Sequence, residues 1–187
     1  MTTPSMRQSL SAFILLFAAA AMPNAMADAM SEIPDAIAGR AGEPMGRNVS
    51  YFPKNLTAFG YLAEPEGEGP RGAVILIHEW NGLVERVKQT ADAFAAEGYV
   101  ALAVDLYSGR IGTNREENMA LVRETLADPD TIVANLDAAA KYLRGRGDVN
   151  GKVATIGWCY GGGVALSYAI GGERHEGRGG RTPSPQH

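Results

Sequence analysis

The chain has 187 residues, 45% hydrophobic and 20% charged, which is enough to bury the core of one globular domain. Its formal charge of −4 and the lack of any basic cluster argue against nucleic acid or an anionic membrane surface as partner. A single cysteine excludes an intramolecular disulfide, and the scattered His78, His175 and His187 give no metal-ligand spacing, so neither metal nor cofactor is expected.

The amino terminus reads as an export signal. Arg7 is the only charge in the first 27 residues, and the apolar stretch from Ala12 to Met22 is shorter than the ~20 residues that span a bilayer. Ala25-Met26-Ala27 has the small-x-small pattern of a cleavage site, so residues 1–27 are expected to be removed and the mature chain to start at Asp28. The product is expected in the periplasm or outside the cell, with no membrane attachment after cleavage. In an oxidising compartment a lone free thiol calls for a chemical explanation.

Residues 28–47 mix Gly, Pro and polar residues without periodicity and read as an extended segment. Residues 48–52 and 56–62 alternate roughly at period two, as two short strands do. A Pro- and Gly-rich turn over 64–70 leads into Ala73-Val-Ile-Leu-Ile77, an apolar run suited to a parallel strand covered on both faces. It ends in the polar cluster His78-Glu79-Trp80-Asn81-Gly82. Val84, Val87, Ala91, Phe94 and Ala95 have the spacing of a helix over 84–97, which Gly98 stops. Residues 99–105 form the next buried strand and 106–110 its loop. Two helices follow over 115–126 and 130–144, broken at Asp128-Pro129, with Asp130 as the expected N-cap. Lys152 to Ile156 is the third buried strand. Strands alternating with helices predict an α/β fold, with a mainly parallel sheet and helices on both faces after an opening antiparallel hairpin. Ligands bind such sheets at the carboxyl ends of the strands, where the polar clusters lie.

Directly after the third strand comes Gly157-Trp158-Cys159-Tyr160-Gly161, followed by the small, helix-compatible Gly162-Gly163-Val164-Ala165-Leu166. Small residues two before and two after Cys159 allow a sharp strand-to-helix turn that lifts the nucleophile clear of the sheet. The start of the following helix favours negative charge, hence the thiolate. A cysteine is otherwise often just a small buried hydrophobe. His78 is expected to be structural, because it precedes Glu79 on the strand and so points to the opposite side.

Ile77-His78-Glu79, the stretch from Gly98 to Tyr107 and Gly157-Trp-Cys-Tyr-Gly-Gly162 make residues 48–171 resemble the dienelactone hydrolase family, a branch of the α/β-hydrolases. The resemblance implies hydrolysis of a small-molecule ester or lactone through a thioester on Cys159. The backbone N–H groups of Trp80 and Tyr160 would hold the oxyanion, and Glu79 would contact the thiol and govern its ionisation. Arg110 resembles the family's anion-binding position and is the candidate for a substrate carboxylate; an unliganded surface arginine is the competing reading.

The text changes after Ile170. Residues 172–187 carry no aliphatic or aromatic side chain and read as a disordered Gly/Arg/Pro-rich tail. In α/β-hydrolases an acid and a histidine follow the nucleophile on further strands. Those strands are missing from this reading, and neither His175 nor His187 has a scaffold to serve as base. The simplest expectation is a reading-frame shift or early end. The chain is then either the first part of an exported cysteine-dependent ester or lactone hydrolase, or a non-catalytic remnant or binding module of the same fold.

Overall fold

The apolar run at 73–77 lies at the heart of a twisted sheet, because its side chains find a hydrophobic partner on either face. The computed structural model describes residue 35 and residues 41–53 and 59–176. The signal-peptide reading of 1–27, most of the segment 28–47, part of the second predicted strand and residues 177–187 lie outside the described residues.

Five strands and four helices occur among the described residues: β1 (Arg47–Val49), β2 (Gly60–Ala63), β3 (Arg71–Ile77), α1 (Glu85–Ala96), β4 (Val100–Val104), α2 (Arg115–Leu126), α3 (Pro129–Arg144), β5 (Val149–Gly157) and α4 (Tyr160–Glu176). The sheet order is β1-β2-β4-β3-β5. β1 and β2 form the expected antiparallel pair, β2 runs antiparallel to β4, and β3 lies parallel to β4 and β5.

Alternation along the central strands sorts side chains between two cores. Ile75, Ile77, Leu102 and Val104 face α3, meeting Ile132, Leu136, Ala139 and Leu143, with Val164 of α4 in the same cluster. Val74, Leu76, Ala101 and Ala103 face α1, meeting Val87, Ala91 and Ala95. Burying each Leu, Ile or Val side chain contributes about 1.5–3 kcal/mol, and every Leu, Ile and Val of β3 and β4 is buried. That is why both strands read as unbroken apolar runs.

The topology also positions a crevice. The chain leaves β3 toward α1 on one face and leaves β5 toward α4 on the other, although β3 and β5 are neighbours. Loops diverging from adjacent strand ends open a gap at their carboxyl edge.

Four boundaries differ from the sequence reading. The first strand ends at Val49, because the next residues turn inward ahead of Pro53, which lacks an N–H for a ladder. The Tyr51 hydroxyl instead donates to Asn135 Oδ1 at 2.7 Å and accepts from the Asp105 N–H at 3.2 Å, while Asn135 Nδ2 donates to the Asp105 carbonyl at 3.0 Å. Burial of these polar groups is tolerable because each is paired. Asp128, not Asp130, caps α3: its carboxylate accepts from the Thr131 N–H at 3.1 Å, and Pro129 takes the first helical position, where an N–H is not needed. β5 begins at Val149, ahead of the apolar run, because pairing with Arg71 extends the ladder through a bulge. Helix α4 continues to Glu176, past residue 172 where the tail was expected to begin.

Among the described residues β5 pairs only with β3 and forms one edge of the sheet. Ala154 on it is exposed, as are Leu166 and Ile170 on α4, each at 63%.

Candidate active site

The turn between β5 and α4 carries the strain that its glycines predict. Cys159 has φ 54°, in the left-handed region that side chains with a Cβ avoid. Conformations of this kind cost about 1–3 kcal/mol and persist where the surrounding structure enforces them. Here the enforcement comes from close backbone approach. A Cβ on Gly161 would collide with the carbonyl oxygens of Ile77 and His78, and one on Gly157 would collide with the Gly161 carbonyl. The elbow therefore presses against the end of β3, and Cys159 stands exposed with a free thiol.

Cys159, Trp80 and Tyr160 line one cavity of about 700 Å³. Tyr160 is the first residue of α4, so its N–H is among the donors that a helix start leaves without an intrahelical partner. Trp80 is held from behind, where the Tyr107 hydroxyl donates to its carbonyl at 3.2 Å. Burial pushes the Tyr107 phenol well above its ordinary range, with the nearby Tyr160 and Cys159 acting in the same direction, so it stays a donor. Burial likewise pushes Tyr160 up to about 12. Three of the predicted site residues are thus brought together, and Tyr107, given no role of its own in the sequence reading, is what orients one of them.

Glu79 is directed elsewhere. Its carboxylate forms an ion pair with Arg86 in the first turn of α1, and no hydrogen bond joins it to Cys159. The contact with the thiol implied by the resemblance is replaced by this pair, because α1 begins close after β3 and brings a guanidinium to the carboxylate.

Arg110 is also engaged outside the cavity. Its two terminal nitrogens donate to both carboxylate oxygens of Glu124 at 2.8 and 2.7 Å, and Nε donates to the Tyr107 carbonyl at 3.0 Å. It lines a separate, smaller cavity with Phe59 and Leu83. The anion-binding position expected for Arg110 is not realised at Cys159: a bidentate partner on α2 satisfies the guanidinium fork.

His78 is fully buried, with its ring edge-to-face on Tyr107 at 4.5 Å. Nδ1 lies 2.6 Å from the Glu79 carbonyl, and Nε2 accepts from the Leu106 N–H at 3.2 Å. That pairing assigns the proton to Nδ1 and leaves neither nitrogen for a substrate. Desolvation lowers its pKa, so the ring is neutral. It staples the β3 loop to the β4 loop. The β4 loop is itself shaped by Asp105, whose carboxylate accepts from the N–H groups of Tyr107 and Gly109.

The remaining cavity wall comes from α2, α3 and α4, through Met119, Val122, Ile132, Val133 and Val164. No sequence motif marks these residues. They are ordinary apolar helix positions until the fold gathers them beside a nucleophile.

The chain resembles known proteins. The model of the dienelactone hydrolase family matches residues 59–177. The chain is similar to protein usf of Aquifex pyrophilus, at 33% identity over 130 residues covering 67% of this chain and 55% of that protein. It is also similar to the carboxymethylenebutenolidase of Pseudomonas putida, at 29% identity over 121 residues covering 61% of this chain and 51% of that one. Among solved structures it superimposes on m3DLH with a TM-score of 0.62 at 28% identity, over 70% of this chain and 56% of that one. The chain spans about half the length of the relatives it matches.

Proposed function

Because the chain belongs to the dienelactone hydrolase family, we propose that it is an exported carboxylic ester or lactone hydrolase whose nucleophile is Cys159. The observation that carries the reading is the left-handed backbone of Cys159, held by Gly157 and Gly161 at the mouth of a cavity. Strain enforced at an exposed thiol has no use in packing.

In the chemical step the Cys159 thiolate attacks the ester carbonyl and a C–S bond forms. The negative charge moves to the carbonyl oxygen, toward the N–H groups of Tyr160 and Trp80. The tetrahedral species collapses by breaking the C–O bond; the alkoxide leaves and takes a proton from water. Water then attacks the thioester, releasing the acid and restoring the thiol. That second step needs a base. Among the described residues His78, with both ring nitrogens engaged, does not supply one, and we take deacylation as the slower step.

The test is rapid mixing with p-nitrophenyl acetate. Release of about one equivalent of p-nitrophenolate per chain, abolished in Cys159→Ala and followed by slow turnover, supports the reading. A folded chain with no burst would leave the non-catalytic binding module as the better account. Export is supported by Arg7, the apolar stretch 12–22 and Ala25-Met26-Ala27 together. The intact mass of protein from the periplasm should correspond to a start at Asp28; retention of Met1 would remove export from the proposal.

A further inference from the structure

We propose that the cavity beside Cys159 takes the uncharged alkyl acyl group of a neutral ester and discriminates against acyl groups bearing a carboxylate; this rests on the nucleophile reading above. The wall beside the thiol is mostly carbon, and its polar groups, from Trp80, Tyr160, Ser167 and Tyr168, are uncharged. Met119 and Val122 come from α2, Ile132 and Val133 from α3, and Val164 from α4; among the described residues it contains no Asp, Glu, Lys or Arg. Of the arginines on the loops and helices that follow β3 and β4, Arg110 is committed to Glu124 and the Tyr107 carbonyl, and Arg86 to Glu79. A carboxylate entering this space would give up water and meet no cation, a penalty that a methyl group at the same position does not incur.

Dimensions favour a chain of several carbons. The cavity follows α4 from Tyr160 to Gly171, which at 1.5 Å per residue is roughly 16 Å. Its volume of about 700 Å³ is in the range of small-molecule sites. Each methylene moved from water into such a lining favours the bound state roughly fourfold. Acylation should therefore quicken from acetyl to pentanoyl.

The decisive comparison is between p-nitrophenyl pentanoate and mono-p-nitrophenyl glutarate, whose acyl groups are nearly the same shape but end in a methyl and a carboxylate. With the full chain, and each rate divided by that of free cysteine, the pentanoate should acylate Cys159 at least about tenfold faster. Val133→Arg, with Val122→Arg as a second position, should narrow or reverse that ratio, whereas Arg110→Ala should leave it unchanged. Equal or faster acylation by the glutarate, or its selective loss in Arg110→Ala, overturns the proposal. If no ester acylates Cys159 at all, the nucleophile reading fails, and binding still decides the cavity's preference. Methyl pentanoate should perturb the fluorescence of Trp80 in Cys159→Ala at lower concentration than monomethyl glutarate, with Trp80→Phe as control. Equal binding of the two overturns it.

Discussion

A methyl group on Gly161 would lie within 2.5 Å of the His78 carbonyl oxygen and closer still to that of Ile77. The backbone of α4 thus rests on the backbone of β3 with no side chain between them, and the left-handed turn at Cys159 follows from that contact. Neither carbonyl can yield without disturbing β3, so Gly161→Ala should destabilise by the upper end of the ~1–3 kcal/mol typical of overpacking, and should lower Cys159 labelling. Gly163→Ala is the control. Nothing lies within 4 Å of a Cβ there, and alanine in a helix interior should raise stability by about 0.5–1 kcal/mol. Urea denaturation of both variants measures the contrast; equal effects would mean the close approach is not enforced.

The strain at Cys159 should be recoverable as stability. A non-glycine residue at φ 54° costs about 1–2 kcal/mol, and the exposed thiol contributes little packing that would be missed. Cys159→Gly should therefore be more stable than Cys159→Ala, with the added freedom of glycine in the unfolded chain offsetting part of the gain. Both should be inert toward p-nitrophenyl acetate. An alanine variant as stable as the glycine variant would show that the turn is unstrained.

Asp105 shapes the loop that carries Tyr107. Its carboxylate accepts from the Tyr107 N–H at 2.8 Å and from the Gly109 N–H, next to Ser108 at φ 57°. Asp105→Asn keeps the shape but turns one acceptor into a donor. One of the two N–H groups then loses its acceptor, at a cost of up to about 1–3 kcal/mol. Because Tyr107 holds the Trp80 carbonyl, acylation of Cys159 should slow as well. Loss of stability with an unchanged acylation rate would detach this loop from the site.

Stability should fall as pH drops from 7 toward 5.5, before the carboxylates titrate. Burial holds the pKa of folded His78 below the ordinary 6.5. The unfolded chain therefore binds a proton first, and each step down in pH through 6.5 favours unfolding until the folded pKa is reached. Asp148, held low by Arg146, and Glu64, held low by Arg47 and Arg146 against the opposing effect of burial, act in the same direction only at more acid pH. In His78→Phe the slope between pH 7 and 5.5 should vanish, although the variant is less stable throughout because the Leu106 N–H loses its acceptor. Chemical denaturation at a series of pH values reads both effects, and a slope that survives in His78→Phe would assign it to another group.

The elements and the elbow were legible in the sequence because each depends on local chemistry. Helices α1 to α3 follow the three-and-four spacing of their apolar residues, and β3 and β4 announce themselves as unbroken apolar runs. Gly-x-Cys-x-Gly after a strand needs only the backbone freedom of glycine to be understood. Capping was nearer the limit: Asp128 and Asp130 flank the same proline, and only the proline's suitability for the first helical position separates them.

What the residues do to one another was decided by the tertiary structure. Glu79 and Arg110 carry the right chemistry for the roles the resemblance implied, yet a charged side chain serves whichever opposite charge the fold brings nearest. Here those partners are Arg86 and Glu124, on helices whose approach no local pattern records. The cavity wall has the same origin. Met119, Ile132 and Val164 are unremarkable apolar residues far apart in the chain, and they face one thiol only because the sheet order sends the loops after β3 and β5 to opposite faces.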